Sequence, residues 1–69
     1  MIAQNEVQAA IETAVQALPP DQRTVFVLAE YEDISYRDIA KVLECSPKAV
    51  EMHLYRARQM LRKHLQHFL

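Results

Sequence analysis

The 69-residue chain contains no glycine. Strands are usually bounded by glycine-rich turn signals, and the runs of β-branched residues here are short, so a β-sheet is disfavoured. Apolar residues recur instead at helical spacing. The first such series is Val7, Ala10, Ile11, Ala14, Val15 and Leu18. The sequence therefore predicts an all-α fold of four helices in a single domain spanning residues 1–69.

Composition restricts where such a chain is expected to work. Hydrophobic residues make up 51% of it, enough for a small core, and its one cysteine excludes an intrachain disulfide framework. No apolar run approaches the roughly 20 residues of a membrane span, and residues 1–7 lack the basic start of a signal peptide. We expect a cytoplasmic protein.

Polar residues and prolines predict the first two helix boundaries. Asn5, with Gln8 three residues later, resembles a capping box that would start the first helix. Residues 18–21, Leu-Pro-Pro-Asp, would end it, since a residue before proline is pushed out of the α region. Pro20 then suits the first position of a second helix. Because residues 25–29 are all apolar, this second helix is predicted to be the most buried element.

Serines predict the start of the last two helices. Asp33 is the best candidate for a left-handed residue before the third helix, which Ser35 can cap with Asp38 three residues on. Ser46 and Pro47 suit the start of the fourth helix. Its predicted inner stripe is Val50, Leu54, Ala57, Leu61, Leu65 and Phe68. Nearly opposite lie Lys48, Met52, Tyr55, Arg56, Gln59 and Lys63. We expect one core: Val25, Leu28, Ile39, Ala40, Leu43, Val50, Leu54 and Leu61.

Charge is divided unevenly along the chain. Residues 1–45 hold three Lys or Arg against eight acids, a charge of −5, whereas residues 46–69 hold five against Glu51 alone, a charge of +4. A basic last helix on an acidic body indicates a face for a polyanion. On charge alone, an ordinary solvated helix surface is the stronger interpretation. The short third helix, a tight turn and a longer fourth helix (about residues 35–65) also form a helix-turn-helix pattern.

Ordered motifs then support a resemblance. Leu18-Pro19 and Arg23 before Val25-Phe26 are followed by Ser-Tyr-x-x-Ile-Ala at 35–40 and by Arg-Ala-Arg at 56–58. Residues 17–65 resemble region 4, the C-terminal domain of bacterial sigma factors, and most of all the extracytoplasmic-function group. LuxR-type output domains have a similar helix-turn-helix but lack the Arg-Ala-Arg segment.

The resemblance implies a DNA-binding domain that recognises the −35 promoter element while docked on the β-flap of core RNA polymerase. It implies an anti-sigma factor as a further partner. The positions matching the family's DNA-facing residues are Tyr36, Arg37, Ser46, Lys48, Glu51, Met52, Tyr55 and Arg56. Arg56 can pair with phosphate or a guanine edge, and Tyr55 and Met52 can contact sugars or thymine methyls.

Three positions depart from the family pattern. Glu51 follows Ala49-Val50 where a lysine or arginine is usual, Met52 replaces a frequent serine, and His53 replaces a common arginine. Glu51 can accept a hydrogen bond from a cytosine amino group, or it can simply favour the positive end of the helix dipole. Both interpretations stay open.

An alternative function is a sigma-like interaction module that binds an anti-sigma factor with little DNA binding. Glu51 and the acidic body favour it. Because nothing here resembles the region that melts the −10 element, we expect the chain to be an excised domain. We also expect an apolar patch near the C-terminus, formed by Leu61, Leu65, Phe68 and Leu69. It is expected to be covered by a partner, by another copy of the chain or by the first helix folding back.

Other candidate sites are weaker. The histidines at 53, 64 and 67 lack the cysteine or carboxylate that would complete a metal site. Cys45 is expected to be a packed thiol and Tyr31 a core residue. Arg23 is expected to pair with Glu30 or Asp38. With no nucleophile–base pair, phosphate loop or acid dyad, the sequence predicts neither an enzyme nor a cofactor.

Overall fold

The computed structural model describes residues 4–66. Helix α1 is Gln4–Gln16 and α2 is Pro20–Phe26, which continues without interruption into a π-helical turn, Val27–Tyr31. Helix α3 is Tyr36–Leu43 and α4 is Pro47–His64. The described residues include no strand. The predicted all-α fold with four helices is confirmed.

The predicted start of α1 is wrong. Asn5 lies inside the helix, which already includes Gln4, so it does not occupy the capping position. The side-chain amide of Gln8 donates instead to Oε1 of Glu12 at 3.4 Å, one helical turn further on. A glutamine four residues before an acid lies next to it on the helix surface, so this side-chain pair forms without a cap.

The second helix begins as predicted but is less buried than expected. Pro20 is its first residue, and the π-helical turn carries it on to Tyr31, where the Glu32 N–H bonds the Val27 carbonyl at 3.2 Å. Only Val25 is fully buried, while residues 26–29 are half-buried. Helix α4 has more buried residues than α2, four against one. The reason is that α4 packs against α1, α2 and α3, whereas α2 leaves one side to solvent.

The turn before α3 and both serine caps form as predicted. Asp33 has φ 57°, in the left-handed region. The Ser35 hydroxyl accepts from the Asp38 N–H at 3.2 Å, and the Ser46 hydroxyl from the Ala49 N–H at 3.0 Å. Such bonds satisfy amide groups that a helix leaves unpaired at its first turn.

The left-handed residue that ends α3 was not predicted. Glu44 has φ 54°, and its N–H bonds the Lys41 carbonyl at 3.4 Å while the Cys45 N–H bonds the Ala40 carbonyl at 2.9 Å. This pair of bonds is the Schellman motif, which usually places glycine at the left-handed position. In a chain without glycine, a glutamate takes this position.

The core consists of two clusters rather than the single one expected. The first contains Ala14, Val15, Leu18, Ala57 and Leu61. The second contains Val25, Ile39, Ala40, Val50 and Leu54. Helix α4 supplies residues to both, and half-buried Phe26 packs against both, because successive turns of one long stripe meet different helices. Leu28 and Leu43 lie half-buried at the edge of the second cluster.

The inner stripe of α4 is confirmed within the described residues. Val50, Leu54, Ala57 and Leu61 are buried and Leu65 is half-buried. Of the expected apolar patch, Leu61 packs with Ala14 and Val15 of α1 in the first cluster and Leu65 lies against that cluster, so the first helix covers this part of it, one of the three predicted occupants. Phe68 and Leu69 lie outside the described residues. No helix within 4–66 is long and apolar enough to cross a membrane.

Replacing Ser46 with alanine is expected to destabilise the fold by about 0.5–2 kcal/mol, because the Ala49 N–H loses its acceptor. Ser46→Gly is the matched control and should cost only a few tenths of a kcal/mol relative to serine. Urea unfolding followed by circular dichroism measures both. Equal stability of the parent and Ser46→Ala would show that the cap does not hold the start of α4.

Candidate nucleic-acid interface

Close packing of α3 on α4 creates the candidate interface. Ala40 and Ile39 on α3 are buried against Val50 and Leu54 on α4, in the second core cluster. The small side chain of Ala40 allows the helices to approach closely. A short turn, residues 44–46, connects them. This packing fixes the N-terminus of α3 next to the first turns of α4.

All eight predicted DNA-facing residues are exposed. They are Tyr36, Arg37, Ser46, Lys48, Glu51, Met52, Tyr55 and Arg56. Tyr36 is 39% exposed, Met52 41% and Tyr55 58%, which is unusual for side chains with so much apolar surface. The start of α3 and the outer face of α4 therefore present large, partly exposed side chains to solvent.

Three of the eight residues meet around one groove. Tyr36 from α3 and Glu51 and Tyr55 from α4 line a depression of about 290 Å³, which Leu54 and Arg58 complete. We call it the α3–α4 groove. The other five predicted residues lie outside it on the exposed surface.

Glu51 has a partner of opposite charge. Its Oε2 lies 3.8 Å from Nζ of Lys48, one turn earlier on α4, and both side chains are well exposed. Such pairs contribute little to stability and are screened by salt. The pair does cancel the local charge, so the first turns of α4 present less positive charge than Lys48 alone would give.

Tyr55 is held along the outer face of α4. The Gln59 amide donates to the Tyr55 hydroxyl oxygen at 2.9 Å. The hydroxyl hydrogen of Tyr55 remains available to donate to another acceptor. Further along the same helix, Gln59, Arg62, Lys63 and Gln66 line a second depression of about 480 Å³, which extends the basic surface.

The structure pairs Glu30 with a residue that the sequence did not indicate. Arg58 Nη2 bonds Oε1 of Glu30, whereas Arg23, the predicted partner, donates to the backbone carbonyl of Gln16 at 3.2 Å. The bond that Arg58 donates to Glu30 is the main cause of a raised Arg58 pKa; partial burial opposes it, and Tyr36 adds a smaller rise. Only the fold brings residues 30 and 58 together, so no local spacing signals the pair.

Two further predictions are wrong. Cys45 is exposed rather than packed, because it lies in the turn that follows the left-handed Glu44. Tyr31 is 55% exposed rather than in the core, although its ring makes an edge contact with Phe26 at 5.9 Å between centroids. The π-helical turn carries Tyr31 to the end of α2, beyond the packed region. Within residues 4–66, no three His, Cys, Asp or Glu side chains gather in a possible metal site.

The packing of α3 and α4, with an exposed outer face on the second helix, defines a helix-turn-helix domain. The family model for Sigma-70, region 4 matches residues 8–61. The chain therefore belongs to the Sigma-70 region 4 family, the DNA-binding domain with which sigma factors recognise promoters. This membership does not favour the alternative of a pure protein-interaction module.

Bacterial relatives agree with the family. The chain is 40% identical over 65 residues to an RNA polymerase sigma-H factor of Pseudomonas aeruginosa, covering 94% of the chain and 34% of the relative. It is 32% identical over 62 residues to an ECF RNA polymerase sigma-E factor of Haemophilus influenzae, covering 90% of the chain and 33% of the relative. The chain thus spans about a third of the length of these curated relatives.

Proposed function

We propose that the chain recognises the −35 promoter element as part of an extracytoplasmic-function sigma factor, with α4 lying in the major groove. The observation that carries the proposal is the division of α4 into two faces. Val50, Leu54 and Ala57 are buried on one side, while the predicted DNA-facing residues are exposed on the other. A recognition helix needs this combination, since one face must be fixed and the other free.

Each exposed residue has a proposed role. Lys48 and Arg56 bind phosphates, or a guanine edge in the case of Arg56, and Met52 and Tyr55 contact sugars or thymine methyls. Tyr36, Arg37 and Ser46 lie at the first turns of α3 and α4, where unpaired amides and the helix dipole also favour phosphate. Glu51 is a further base-selective candidate, because its carboxylate can accept a hydrogen bond from a cytosine amino group.

We also propose partners for the chain, which we treat as one domain, residues 1–69, with the helix-turn-helix at about 35–65. Core RNA polymerase is the first, and relatives at 40% and 32% identity are named as RNA polymerase sigma factors. The resemblance adds the β-flap as docking site and an anti-sigma factor as regulator. A transcription initiation role implies no catalysis by the chain itself and a cytoplasmic location.

Replacing Arg56 with alanine tests the DNA proposal. If Arg56 binds phosphate, affinity should fall for every duplex, and the slope of log affinity against log salt should shrink by about one unit. If it binds guanine, the loss should be about 1–3 kcal/mol and confined to one base position. Fluorescence anisotropy with duplexes at several salt concentrations measures both.

Arg62→Ala is the matched control, since Arg62 is also exposed on α4 but is not among the predicted DNA-facing residues. It should change affinity less than Arg56→Ala does. Equal losses in the two variants would mean that charge alone attracts DNA. An Arg56→Ala variant that binds like the parent at low salt would contradict the role of Arg56.

Polymerase docking is tested separately by co-elution of the chain with purified core RNA polymerase and with an isolated flap fragment. The proposal requires retention on both. Retention on neither would contradict it without affecting the DNA assignment.

A further inference from the structure

One ion pair connects the α3–α4 groove to a part of the chain outside the helix-turn-helix. Arg58 lines the groove beside Tyr36, and its Nη2 bonds Glu30, 28 residues earlier in the chain. Glu30 lies in the π-helical turn at the end of α2. The ion pair thus links Glu30, at the end of α2, to Arg58 on α4, which lies beside the surface proposed to face DNA.

The π-helical turn changes the direction of the side chains at the end of α2, where Glu30 lies. A π turn fits one more residue into a helical turn than an α-helix does, which rotates the side chains that follow, and such turns are frequent at functional sites. Here the Glu32 N–H bonds the Val27 carbonyl at 3.2 Å, five residues back. The Glu30 carboxylate then lies within reach of Arg58 on α4.

We infer that Glu30 is a positioning residue for the DNA-contacting surface: it holds the Arg58 guanidinium in the α3–α4 groove next to Tyr36. This inference rests on the proposed function and deepens it. A guanidinium carries five donors in a rigid fork and no acceptor, so fixing one arm on Glu30 also fixes the direction of the others. Arg58 and Tyr36 line the same groove, so fixing the guanidinium also fixes the positive charge that lies beside the Tyr36 side chain.

The opposite charges of Glu30 and Arg58 predict different effects on overall DNA affinity and on the preference for one duplex. The Glu30 and Arg58 side chains are 37% and 54% exposed, and ion pairs this exposed contribute little to stability. Glu30 also cancels the positive charge of Arg58. Removing the Glu30 charge should therefore strengthen charge-driven binding to any duplex while weakening the preference for the correct one.

The test compares Glu30→Gln with Glu32→Gln. Both changes remove one negative charge, and Glu32 is exposed with no ion pair among the described residues. Both variants should bind a scrambled duplex slightly more tightly than the parent. Only Glu30→Gln should lower the ratio of affinities for a selected and a scrambled duplex, by about two- to fivefold. Equal ratios in the two variants would overturn the inference.

Two further measurements separate positioning from other roles. If Glu30 acts through Arg58, the double variant Glu30→Gln, Arg58→Gln should show the same affinity ratio as Arg58→Gln alone; additive losses would refute this. In the free protein, Glu30→Gln but not Glu32→Gln should shift the NMR signals of the Tyr36 ring. Unshifted Tyr36 signals would overturn the inference even if the parent bound no duplex. Shifted signals without any duplex binding would support positioning and contradict only the proposed function.

Discussion

Leu54→Ala is expected to lower the free energy of unfolding by about 2–5 kcal/mol. Leu54 is 1% exposed and packs in the second core cluster, where α4 meets α2 and α3. Truncating it removes buried apolar surface and leaves a cavity that rigid neighbours cannot fill. Since small domains have total stabilities near the lower end of about 5–15 kcal/mol, the variant should be largely unfolded at moderate urea concentrations.

Val42→Ala is the matched control, because Val42 is 67% exposed on α3. It should leave the unfolding midpoint close to that of the parent. Circular dichroism during urea titration measures both variants. A midpoint for Leu54→Ala equal to that for Val42→Ala would mean that the packing of α3 on α4 is not as described.

Glu51→Lys is expected to increase affinity for non-specific duplex about three- to tenfold at low salt and to steepen the salt dependence by about one unit. The change reverses one charge on the exposed face of α4 and frees Lys48 from its partner. Near a phosphate backbone, both effects favour binding, and both are screened over about 10 Å at 0.1 M salt.

Glu12→Lys makes the same change of charge on α1, away from the proposed interface, and should have a much smaller effect. If Glu51 accepts a hydrogen bond from cytosine, Glu51→Lys should also abolish the preference at one base position. If Glu51→Lys binds non-specific DNA no more tightly than Glu12→Lys does, Glu51 lies away from the phosphates.

Local signals explain why much of the fold could be predicted. Ser46 before Pro47 marks a helix start because its hydroxyl and the fixed φ of proline act within one turn. The apolar spacing of α4 identifies its buried face for a similar reason, since the helical repeat alone decides which side chains share a side. The exposure of Tyr55 and Arg56 follows from the same repeat.

Two of the features that were missed depend on tertiary structure. The π-helical turn and the pairing of Glu30 with Arg58 arise only when α2 packs on α4, and no spacing in the chain encodes them. The left-handed conformation of Glu44 was missed because glycine, the usual signal, is absent. The eight candidate contact residues came from the family resemblance, and periodicity alone would have indicated only an exposed face.

Sequence-specific recognition of DNA by the exposed face of α4 can be measured directly. The most direct measurement is selection of duplexes from a randomised pool by the 69-residue chain, followed by titration of the selected duplex and its scrambled version at two salt concentrations. We expect one enriched sequence, bound at least about tenfold more tightly than the scrambled duplex at both salt concentrations, as a base-pair preference of about 1–3 kcal/mol implies. Equal affinity for the two duplexes, falling together as salt rises, would contradict it.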